Sequence, residues 1–381
     1  MKIIYTVNAR IPGRKAHTIQ VMCMCDAFVK AGHTVELVVP QRKNPIKTKP
    51  HKYYGTQGFD IRYTWTLDTV GKWGGIGLLL QEISFAWAAL WYTKRHNADC
   101  YYTRDMWWAY LASYTGIPYT IEIHDAPKKR RFAYRRVFRH AQHIVTTTKL
   151  KRAYMVREYG LAEDSILVAP NGVDVGAFRA LPPRDVLRKE LGLPADACII
   201  GHVGKCTTFG QGKGVDELVE AFGGVHARDQ RTHLLLVGVE DKEHDRLAAQ
   251  LEADNASTRA KIVGHVPHAQ AMRYMKACDI LVMNYPDTEH YRYYMFPLKL
   301  CEYMASGAAI ISTDLPSVRE VLSERNALLV PPQDQAALED TLLDTVANTT
   351  LCASLAGQAS RDVRKFDWNS RAALIIRAVS K

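Results

Sequence analysis

The chain has 381 residues, 47% of them hydrophobic and 23% charged, and a formal net charge of +11. This length exceeds a single ordinary core and predicts two domains, and the composition is that of a soluble globular protein. Residues 1–178 hold 26 Lys and Arg against 13 Asp and Glu, so the positive excess lies in the first half and indicates an anionic partner, a membrane surface or a nucleic acid.

The sequence predicts no secretory signal, no membrane-spanning segment and no zinc site. Residues 2–7 read as a strand, which is too short for the apolar core of a secretory signal. Residues 76–92 contain Gln81 and Glu82 and are predicted to be too short and too interrupted to span a bilayer. The eight cysteines include no Cys-x-x-Cys pair, so we expect free thiols, a reducing cytoplasm and no zinc site.

The first half alternates strands with helices, which predicts a parallel sheet. The first units are a strand over 2–7, a loop over 8–16 and a helix over about 18–31. This order places Gly13 at the carboxyl edge of the sheet, where ligands of such folds bind. A glycine there would let a phosphate or a sugar approach the backbone closely, and an ordinary turn glycine is the alternative.

Polar residues follow two later strands of the first half. Arg104 follows the strand over 100–103, and His124 and Asp125 follow the strand over 119–123. Titratable groups at the carboxyl edge of a parallel sheet are candidates for chemistry. A histidine after a strand is more often structural, so this position alone does not decide between the two roles.

Two helices of the first half could contact a membrane. The helix over 76–95 carries Trp87 and Trp91 on one face, which fits either a core stripe or an interfacial helix. The segment over 128–140 holds seven cations and no acid and predicts a basic amphipathic helix at an anionic membrane, with a solvated face as the alternative. Nucleic-acid binding would also fit the charge, but no recognisable nucleic-acid-binding motif accompanies it.

The second half restarts the alternation with a strand over 198–203, a loop over 204–214 and a helix from about 215. The loop holds four glycines together with Lys205 and Lys213, a composition suited to cradling phosphate. It is not a P-loop, because no Gly-Lys-Ser/Thr sequence closes it.

Residues 297–307 predict a helix that begins at Pro297 and ends at Gly307, followed by a buried strand over 308–311. Lys299 and Glu302 share one face of this helix. A cation and a carboxylate there could serve a diphosphate and the two hydroxyls of a ribose. The alternative is a core helix that carries a solvated Lys–Glu pair.

The pattern Pro-x-Lys-x-x-Glu-Tyr-Met-Ala-x-Gly over 297–307, with the apolar strand and Thr-Asp after it, closely resembles the donor-site segment of family-4 glycosyltransferases. These are retaining enzymes of the GT-B fold. The resemblance is strong over 200–320, fair over 118–175 and loose over 1–60. The chain departs from the family at Tyr294, where many members carry a second glutamate, and at Lys205, where the family usually has arginine.

The resemblance implies roles for the matching positions. Glu302 holds the ribose, His124 hydrogen-bonds the donor sugar, and Lys205 and Lys213 neutralise the diphosphate. The positions assigned to catalysis are His124, Lys205 and Lys213. Those assigned to the donor are Gly13, Lys205, Lys213, Gly238, His265, Val266, Pro297, Leu298, Lys299 and Glu302. Those assigned to the acceptor side are Arg14, Arg104 and Asp125.

The resemblance predicts an α/β GT-B protein of two doubly wound Rossmann-like domains with a cleft between them. The expected parts are an acceptor-side domain over 1–178, a nucleotide-sugar-binding domain over 179–365 and a helix over 366–381 that returns to the first domain.

The expected reaction moves a hexosyl group from a UDP- or GDP-linked sugar to a hydroxyl of a glycan or lipid-linked acceptor. We expect no metal and no cofactor, because no Asp-x-Asp motif is present and the lysines can stabilise the leaving group. The expected location is peripheral, on the cytoplasmic face of the membrane, with no nucleic-acid partner. A sugar-nucleotide epimerase and a non-catalytic nucleotide-sugar binder remain as alternatives.

Overall fold

The structure is a computed structural model that describes residues 1–208 and 211–380. It divides into two compact units. The N-terminal unit comprises Met1–Gly172 together with Trp368–Lys381, and the C-terminal unit comprises Val173–Asp367.

The N-terminal unit is built on a seven-stranded sheet whose strands are all parallel, in the order β3-β2-β1-β4-β5-β6-β7. The order reverses between β1 and β4, which creates a switch point at the carboxyl edge of the sheet. The strands are β1 (Lys2–Thr6), β2 (Thr34–Pro40), β3 (Asp60–Thr64), β4 (Cys100–Thr103), β5 (Thr120–Ile123), β6 (His143–Thr146) and β7 (Ile166–Val168).

Helices connect these strands, as the alternation in the sequence predicts. They are α1 (Ala16–Lys30), α2 (Pro50–Tyr54), α3 (Gly74–Arg95), α4 (Met106–Ala112), α5 (Arg131–His140) and α6 (Lys149–Tyr159). The core of the unit contains apolar side chains from the central strand and from two helices, among them Ile4, Phe28 and Phe85, which are fully buried.

The C-terminal unit contains a six-stranded parallel sheet in the order β12-β11-β8-β13-β14-β15. Its switch point lies between β8 and β13. The strands are β8 (Cys198–Val203), β11 (Thr232–Val237), β12 (Ala260–Val263), β13 (Ile280–Met283), β14 (Ala309–Thr313) and β15 (Leu328–Val330). Within the loop after β8, β9 (Thr207–Thr208) and β10 (Gln211–Gly212) form a short antiparallel pair.

The helices of the second unit include the predicted helix after the glycine-containing loop and the predicted helix that ends at Gly307. They are α7 (Val175–Ala180), α8 (Arg184–Leu191), α9 (Val215–Arg228), α10 (Asp241–Ala253), α11 (His268–Ala277), α12 (Leu298–Ser306), α13 (Pro316–Arg319), α14 (Gln335–Ala347) and α15 (Thr349–Asp362). The last helix of the chain, α16 (Trp368–Val379), belongs to the N-terminal unit and buries Ala372 and Ile375 there.

The boundary between the units lies after Gly172, six residues before the expected one at 178. The expected position is wrong because Val173, Val175 and Phe178 are buried in the core of the C-terminal unit. Helix α7 begins at Val175, soon after this boundary.

The prediction that residues 76–92 are too short to cross a membrane is also wrong on length. Helix α3 has 22 residues, and by length and composition alone it is long and apolar enough to do so. One side of α3 is buried in the N-terminal unit through side chains such as Phe85, Ala86 and Ala89. None of the eight cysteines, all of which lie within the described residues, forms a disulfide bond, as the sequence predicts.

Candidate functional site

At the carboxyl edge of the N-terminal sheet, a buried carboxylate lies at the centre of a polar cluster. Glu122 is the third residue of β5, and its side chain is fully buried. It accepts hydrogen bonds from the Tyr102 hydroxyl at 2.5 Å and the Gln20 side chain at 3.3 Å, and from the guanidinium of Arg371. Burial favours the neutral acid, but the charges of Arg371 and Arg104 together with the hydrogen bond from His124 outweigh burial and lower the pKa of Glu122 well below its ordinary value.

His124 follows β5 directly and belongs to the same cluster. Its Nε2 lies 2.5 Å from a Glu122 carboxylate oxygen. Burial and the nearby positive charge of Arg104 lower the pKa of His124 to about 3, so the ring is neutral at neutral pH. An ionised carboxylate can only accept, so Nε2 carries the proton and Nδ1 is left as an acceptor. The side chain is 16% exposed, and a neutral ring with an available acceptor suits a sugar hydroxyl.

The acceptor-side residues of the N-terminal unit lie around this edge. Arg104 is half-buried and donates to Gln20 at 2.5 Å, and Asp125 and Arg14 are exposed. Gly13 lies in the loop after β1, where an added Cβ would come within 2.6 Å of the Arg10 carbonyl oxygen. The backbone N–H of Gly13 donates to the Tyr54 hydroxyl at 2.6 Å, so this amide has a protein partner.

In the C-terminal unit, basic side chains collect at the carboxyl end of β8. Lys299, in the first turn of α12, places its Nζ 3.2 Å from Nε2 of His202 in β8, and both residues are buried. Gly204 follows the strand with φ of +137°, and a Cβ there would lie 3.3 Å from the Lys299 Nζ. The backbone therefore approaches this ammonium group closely, and glycine leaves space for it.

The predicted loop lysines lie close to this pair. Lys205 forms a salt bridge with Glu240 at 2.7 Å. The positive charge of Lys205 also disfavours the charged form of the nearby Lys213. Burial and Lys205 lower the pKa of Lys213 to about 8. Burial and Lys213 lower the pKa of Lys299 well below its ordinary value, and burial and Lys299 do the same to His202. Phe209 and Gly210, also in the predicted loop, lie outside the described residues.

Of these bases, Lys205 has an acidic partner in Glu240, whereas Lys299 lies against His202 and close to Lys213. Among the residues that the structure describes, neither Lys213 nor Lys299 forms a salt bridge. A group of mutually repelling bases at a switch point and beside a helix N-terminus is an arrangement that an anion would stabilise.

Glu302 lies one turn into α12 and is buried, with 7% exposure. It accepts a hydrogen bond from His268 Nε2, the first residue of α11, at 2.6 Å. Burial disfavours the charged imidazole, but the Glu302 carboxylate outweighs it, and the pKa of His268 is raised. The alternative of a solvated Lys–Glu pair on α12 is wrong, because Lys299 and Glu302 are both buried and contact different residues.

The remaining predicted donor residues lie on neighbouring loops of the same unit. Pro297 is the N-cap of α12 and Leu298 its first residue. Gly238 follows β11, and a Cβ there would contact the backbone of Gly204 at 3.1 Å, so the two loops touch. His265 and Val266 follow β12, the next strand of the sheet, with His265 exposed and Val266 half-buried.

Three residues that the sequence interpretation missed are central to these clusters: His202, His268 and Arg371. His202 precedes Gly204 by two residues at the end of an apolar strand, so its position at the carboxyl edge was a usable signal.

Tyr294 is the position at which the sequence departs from the family pattern. Its hydroxyl lies 3.2 Å from a carboxylate oxygen of Glu289. Within the described ranges, no group of three or more His, Cys, Asp or Glu residues is placed to hold a metal ion.

Family models match both halves of the chain. Residues 18–177 match the model described as Glycosyltransferase Family 4, and residues 197–348 match Glycosyl transferases group 1.

Two curated relatives are each 27% identical to the chain, over 241 and 234 residues. They are a D-inositol 3-phosphate glycosyltransferase of Xylanimonas cellulosilytica and a phosphatidyl-myo-inositol mannosyltransferase of Mycolicibacterium smegmatis. Each match covers 61% of this chain and 55% of the relative, so the chain spans about half the length of these relatives.

Solved structures share the fold. HepE of Anabaena in complex with UDP has a TM-score of 0.76 at 16% identity, with 100% of both chains covered. The same protein in complex with UDP-glucose has a TM-score of 0.75 at 17% identity, with 100% of this chain and 99% of the other covered. Together with the two family matches, which span most of the sequence, this shows that the chain belongs to the family-4 and group 1 glycosyltransferases and has the GT-B fold.

Proposed function

We propose that the protein transfers a hexosyl group from a nucleotide diphosphate sugar to a hydroxyl group, with retention at the anomeric carbon. The observation that carries the proposal is the group of facing bases in the C-terminal unit, Lys213, Lys299 and His202, at the end of β8 and beside the N-terminus of α12. A diphosphate is the anion that this arrangement suits, because it carries several negative charges over a short span. Retention comes from the family resemblance alone.

We assign roles in this reaction to most of the predicted residues. Lys205, Lys213 and Lys299 neutralise the diphosphate and the charge that grows on it as it leaves. Glu302, held by His268 at 2.6 Å, accepts from the ribose hydroxyls. His265 and Val266 face the base, and the neutral His124 accepts from a hydroxyl of the donor sugar. Arg14, Arg104 and Asp125 serve the acceptor.

The bond changes balance without a cofactor. The bond between the anomeric carbon and the diphosphate oxygen breaks, and the nucleoside diphosphate leaves with the electron pair. The acceptor oxygen forms the new bond to the anomeric carbon and loses its proton. Because lysines neutralise the leaving group, we propose that no divalent ion is needed, and nucleotide release should stay within about twofold in EDTA.

We place the acceptor, a glycan or a lipid-linked sugar, on the N-terminal unit at the cytoplasmic face of the membrane. Two features support this. The first half of the chain carries the positive excess, and α5 contains no acid. Arg135 and Arg139 on this helix are exposed, and Arg131 is paired with Glu158 at 2.8 Å. Anionic lipid attracts such a segment.

The test is a panel of UDP-, GDP- and ADP-linked sugars scored for nucleotide release, with and without a lipid-linked acceptor. We expect release from a UDP- or GDP-sugar and an increase with acceptor. Glu302→Ala and His124→Ala should each lower release by at least about a hundredfold, since each removes a contact to the donor. Glu324→Ala and His244→Ala, both exposed, are the matched controls and should leave the rate unchanged.

Three outcomes would contradict the proposal. Conversion of the donor sugar without nucleotide release and without acceptor would identify an epimerase. Nucleotide binding with no release under any condition would identify a binding protein. Release that persists in both the Glu302 and His124 variants would place the reaction at another site.

A further inference from the structure

Exposed apolar side chains are concentrated in one short part of the N-terminal unit. Of the seventeen large apolar or aromatic side chains that are exposed among the described residues, twelve lie between positions 63 and 91. They are Tyr63, Trp65, Leu67, Val70, Trp73, Ile76, Leu78, Leu79, Leu80, Ile83, Trp87 and Trp91. We call these twelve side chains the α3 surface. A soluble monomer rarely exposes so many neighbouring apolar groups without a partner.

On α3 itself, the exposed residues form a stripe. At 100° per residue, five of them fall within an arc of about 80° along the helix. They are Ile76, Leu80, Ile83, Trp87 and Trp91, of which Ile76, Trp87 and Trp91 are each about 60% exposed or more. The stripe ends at Lys94, and the opposite side is buried through Phe85 and Ala89. The helix therefore has one face in the protein and a second apolar face outside it.

The chain before α3 is held beside the helix by hydrogen bonds. The Thr66 hydroxyl donates to the Gln81 carbonyl oxygen at 3.2 Å, and the Leu67 N–H donates to the Ser84 hydroxyl at 3.0 Å. The Thr69 hydroxyl donates to the Gly77 carbonyl oxygen at 2.6 Å. Trp65, Leu67, Val70 and Trp73 therefore extend the surface of the helix as a fixed part of it.

The charged residues around the α3 surface are either cations or acids that are paired with an arginine. Arg95, at the end of α3, lies over the Trp91 ring at 3.4 Å. The acid on α3, Glu82, is paired with Arg130 at 3.1 Å, and Asp68 in the preceding segment is paired with Arg42 at 2.9 Å. Arg130 precedes α5, so the Glu82 contact connects the apolar helix with the basic one.

We propose that the α3 surface inserts into an anionic lipid bilayer, with α3 lying along the headgroup boundary and the cations of α5 on anionic headgroups. Apolar and Trp side chains on one helix face with flanking cations are the features of an interfacial helix. The inference rests on the proposed function and deepens it, because it names the membrane-binding element. Insertion adds an apolar contribution that salt does not screen, unlike binding through α5 alone.

The experiment measures binding of the full chain to vesicles of phosphatidylcholine, alone or with about 30% phosphatidylglycerol, by sedimentation. We expect binding to the anionic vesicles, part of which persists at about 1 M salt, where the Debye length is about 3 Å. Brominated acyl chains should quench the Trp fluorescence. The Trp87→Ser/Trp91→Ser variant should bind at least about tenfold more weakly, and its residual binding should vanish in salt.

Matched controls and a second variant keep the test decisive. Leu374→Gln and Val186→Gln each remove one exposed apolar side chain elsewhere and should bind like wild type. Ile76→Gln/Leu80→Gln changes the stripe at its other end and should also weaken vesicle binding. UDP binding should stay within about twofold in all these variants, so loss of vesicle binding is distinguishable from failure of the proposed donor site.

Two results would overturn the inference. One is wild-type binding that the stripe variants leave unchanged or that disappears completely in high salt, which would assign the membrane contact to charge alone. The other is a wild-type dimer that does not bind vesicles and that the Trp variant converts to a monomer, which would assign the surface to a second copy of the chain.

Discussion

The two units carry polar clusters at equivalent places, and the clusters are built in opposite ways. In the N-terminal unit, Glu122 lies at the centre and Arg371 and His124 surround it. In the C-terminal unit, Lys299 and His202 face each other, and no acid lies between them. Both clusters lie at the carboxyl ends of parallel strands, close to the switch point of each sheet.

This difference separates a structural arrangement from a binding arrangement. Around Glu122 the positive charges lower the pKa of the carboxylate, so the folded protein itself compensates the charge at the centre of the cluster. Around Lys299 each base lowers the pKa of its neighbour. The folded protein therefore leaves the positive charge of these bases uncompensated, and a bound anion would stabilise it. The same kind of substitution should therefore have opposite effects on stability in the two units.

The largest effect is expected at Arg371. Arg371→Met should lower the free energy of unfolding by about 3–5 kcal/mol, because it leaves the Glu122 carboxylate buried without its main partner. It also removes a hydrogen bond to the Pro170 carbonyl oxygen at 2.9 Å. Urea unfolding of the full chain measures this change.

Arg377→Met is the matched control for Arg371→Met, since Arg377 lies on the same helix and is exposed. The control should change stability by less than about 0.5 kcal/mol. Adding Glu122→Gln to Arg371→Met should recover part of the loss, because the buried charge is then removed as well. A loss that the double variant does not reduce would show that packing of Arg371, rather than its charge, holds α16.

The second prediction concerns Lys299, where replacement by methionine should not lower the stability of the folded protein. Lys299→Met removes a buried base whose neighbours already disfavour its charge, so the free energy of unfolding should stay unchanged or rise by about 1 kcal/mol. UDP binding should become about ten- to a hundredfold weaker, because a charge-assisted contact to phosphate is lost. Urea unfolding and calorimetric titration with UDP measure the two changes.

Lys242→Met, at an exposed position on α10, is the control for Lys299. A loss of about 3 kcal/mol or more in Lys299→Met would remove the contrast with Arg371, since Lys299 would then be a structural cation. Unchanged UDP affinity would exclude Lys299 from the donor site.

The sequence predicted more of the C-terminal cluster than of the N-terminal one. Two recognisable local patterns, a glycine-containing loop and a capped helix, contain Lys205, Lys213, Lys299 and Glu302. Such patterns involve residues that are close in the sequence, so they can be recognised without knowledge of the fold. Arg371 lies 249 positions from Glu122. The family resemblance predicts that the last helix returns to the N-terminal unit, but nothing in the sequence around either residue indicates that Arg371 contacts Glu122.

The sequence also did not predict which apolar face of α3 is exposed. The spacing of Trp87 and Trp91 identifies one face of α3, but a helix that buries Phe85 and exposes Trp87 has apolar residues on both faces. Periodicity alone cannot decide which apolar face packs inside, because that depends on the shape of the surface that receives the helix.

The third prediction uses the pKa of Lys213, which lies at about 8 in the free protein. Below this pH Lys213 carries a charge that a diphosphate can bind, and the charge is lost as the pH rises through about 8. UDP affinity should therefore fall about tenfold between about pH 7 and about pH 9. Lys213→Gln should bind more weakly at pH 7 and should flatten this dependence, whereas a dependence unchanged in the variant would assign it to another group.

The smallest effect is expected for the other histidine–carboxylate pair, His268 with Glu302. Unlike His124, His268 has a raised pKa, because the Glu302 carboxylate outweighs burial. A raised pKa in the folded state means that the pair stabilises fully below the unfolded value of about 6.5 and that this contribution is lost as the pH rises through the folded value. The contribution should be about 1–2 kcal/mol, between exposed and buried ion pairs.

His268→Gln should therefore lower the stability of the C-terminal unit at about pH 6 and leave it nearly unchanged at high pH. Hydrogen-exchange protection of the α12 amides reports this unit separately from the other one. Gln can still donate to Glu302, so UDP affinity at high pH should stay within about threefold of wild type, where the histidine is neutral as well. A large loss of UDP affinity at every pH would mean that His268 contacts the nucleotide itself, and the comparison with His124 would then be between two ligand-binding histidines rather than between two charge states.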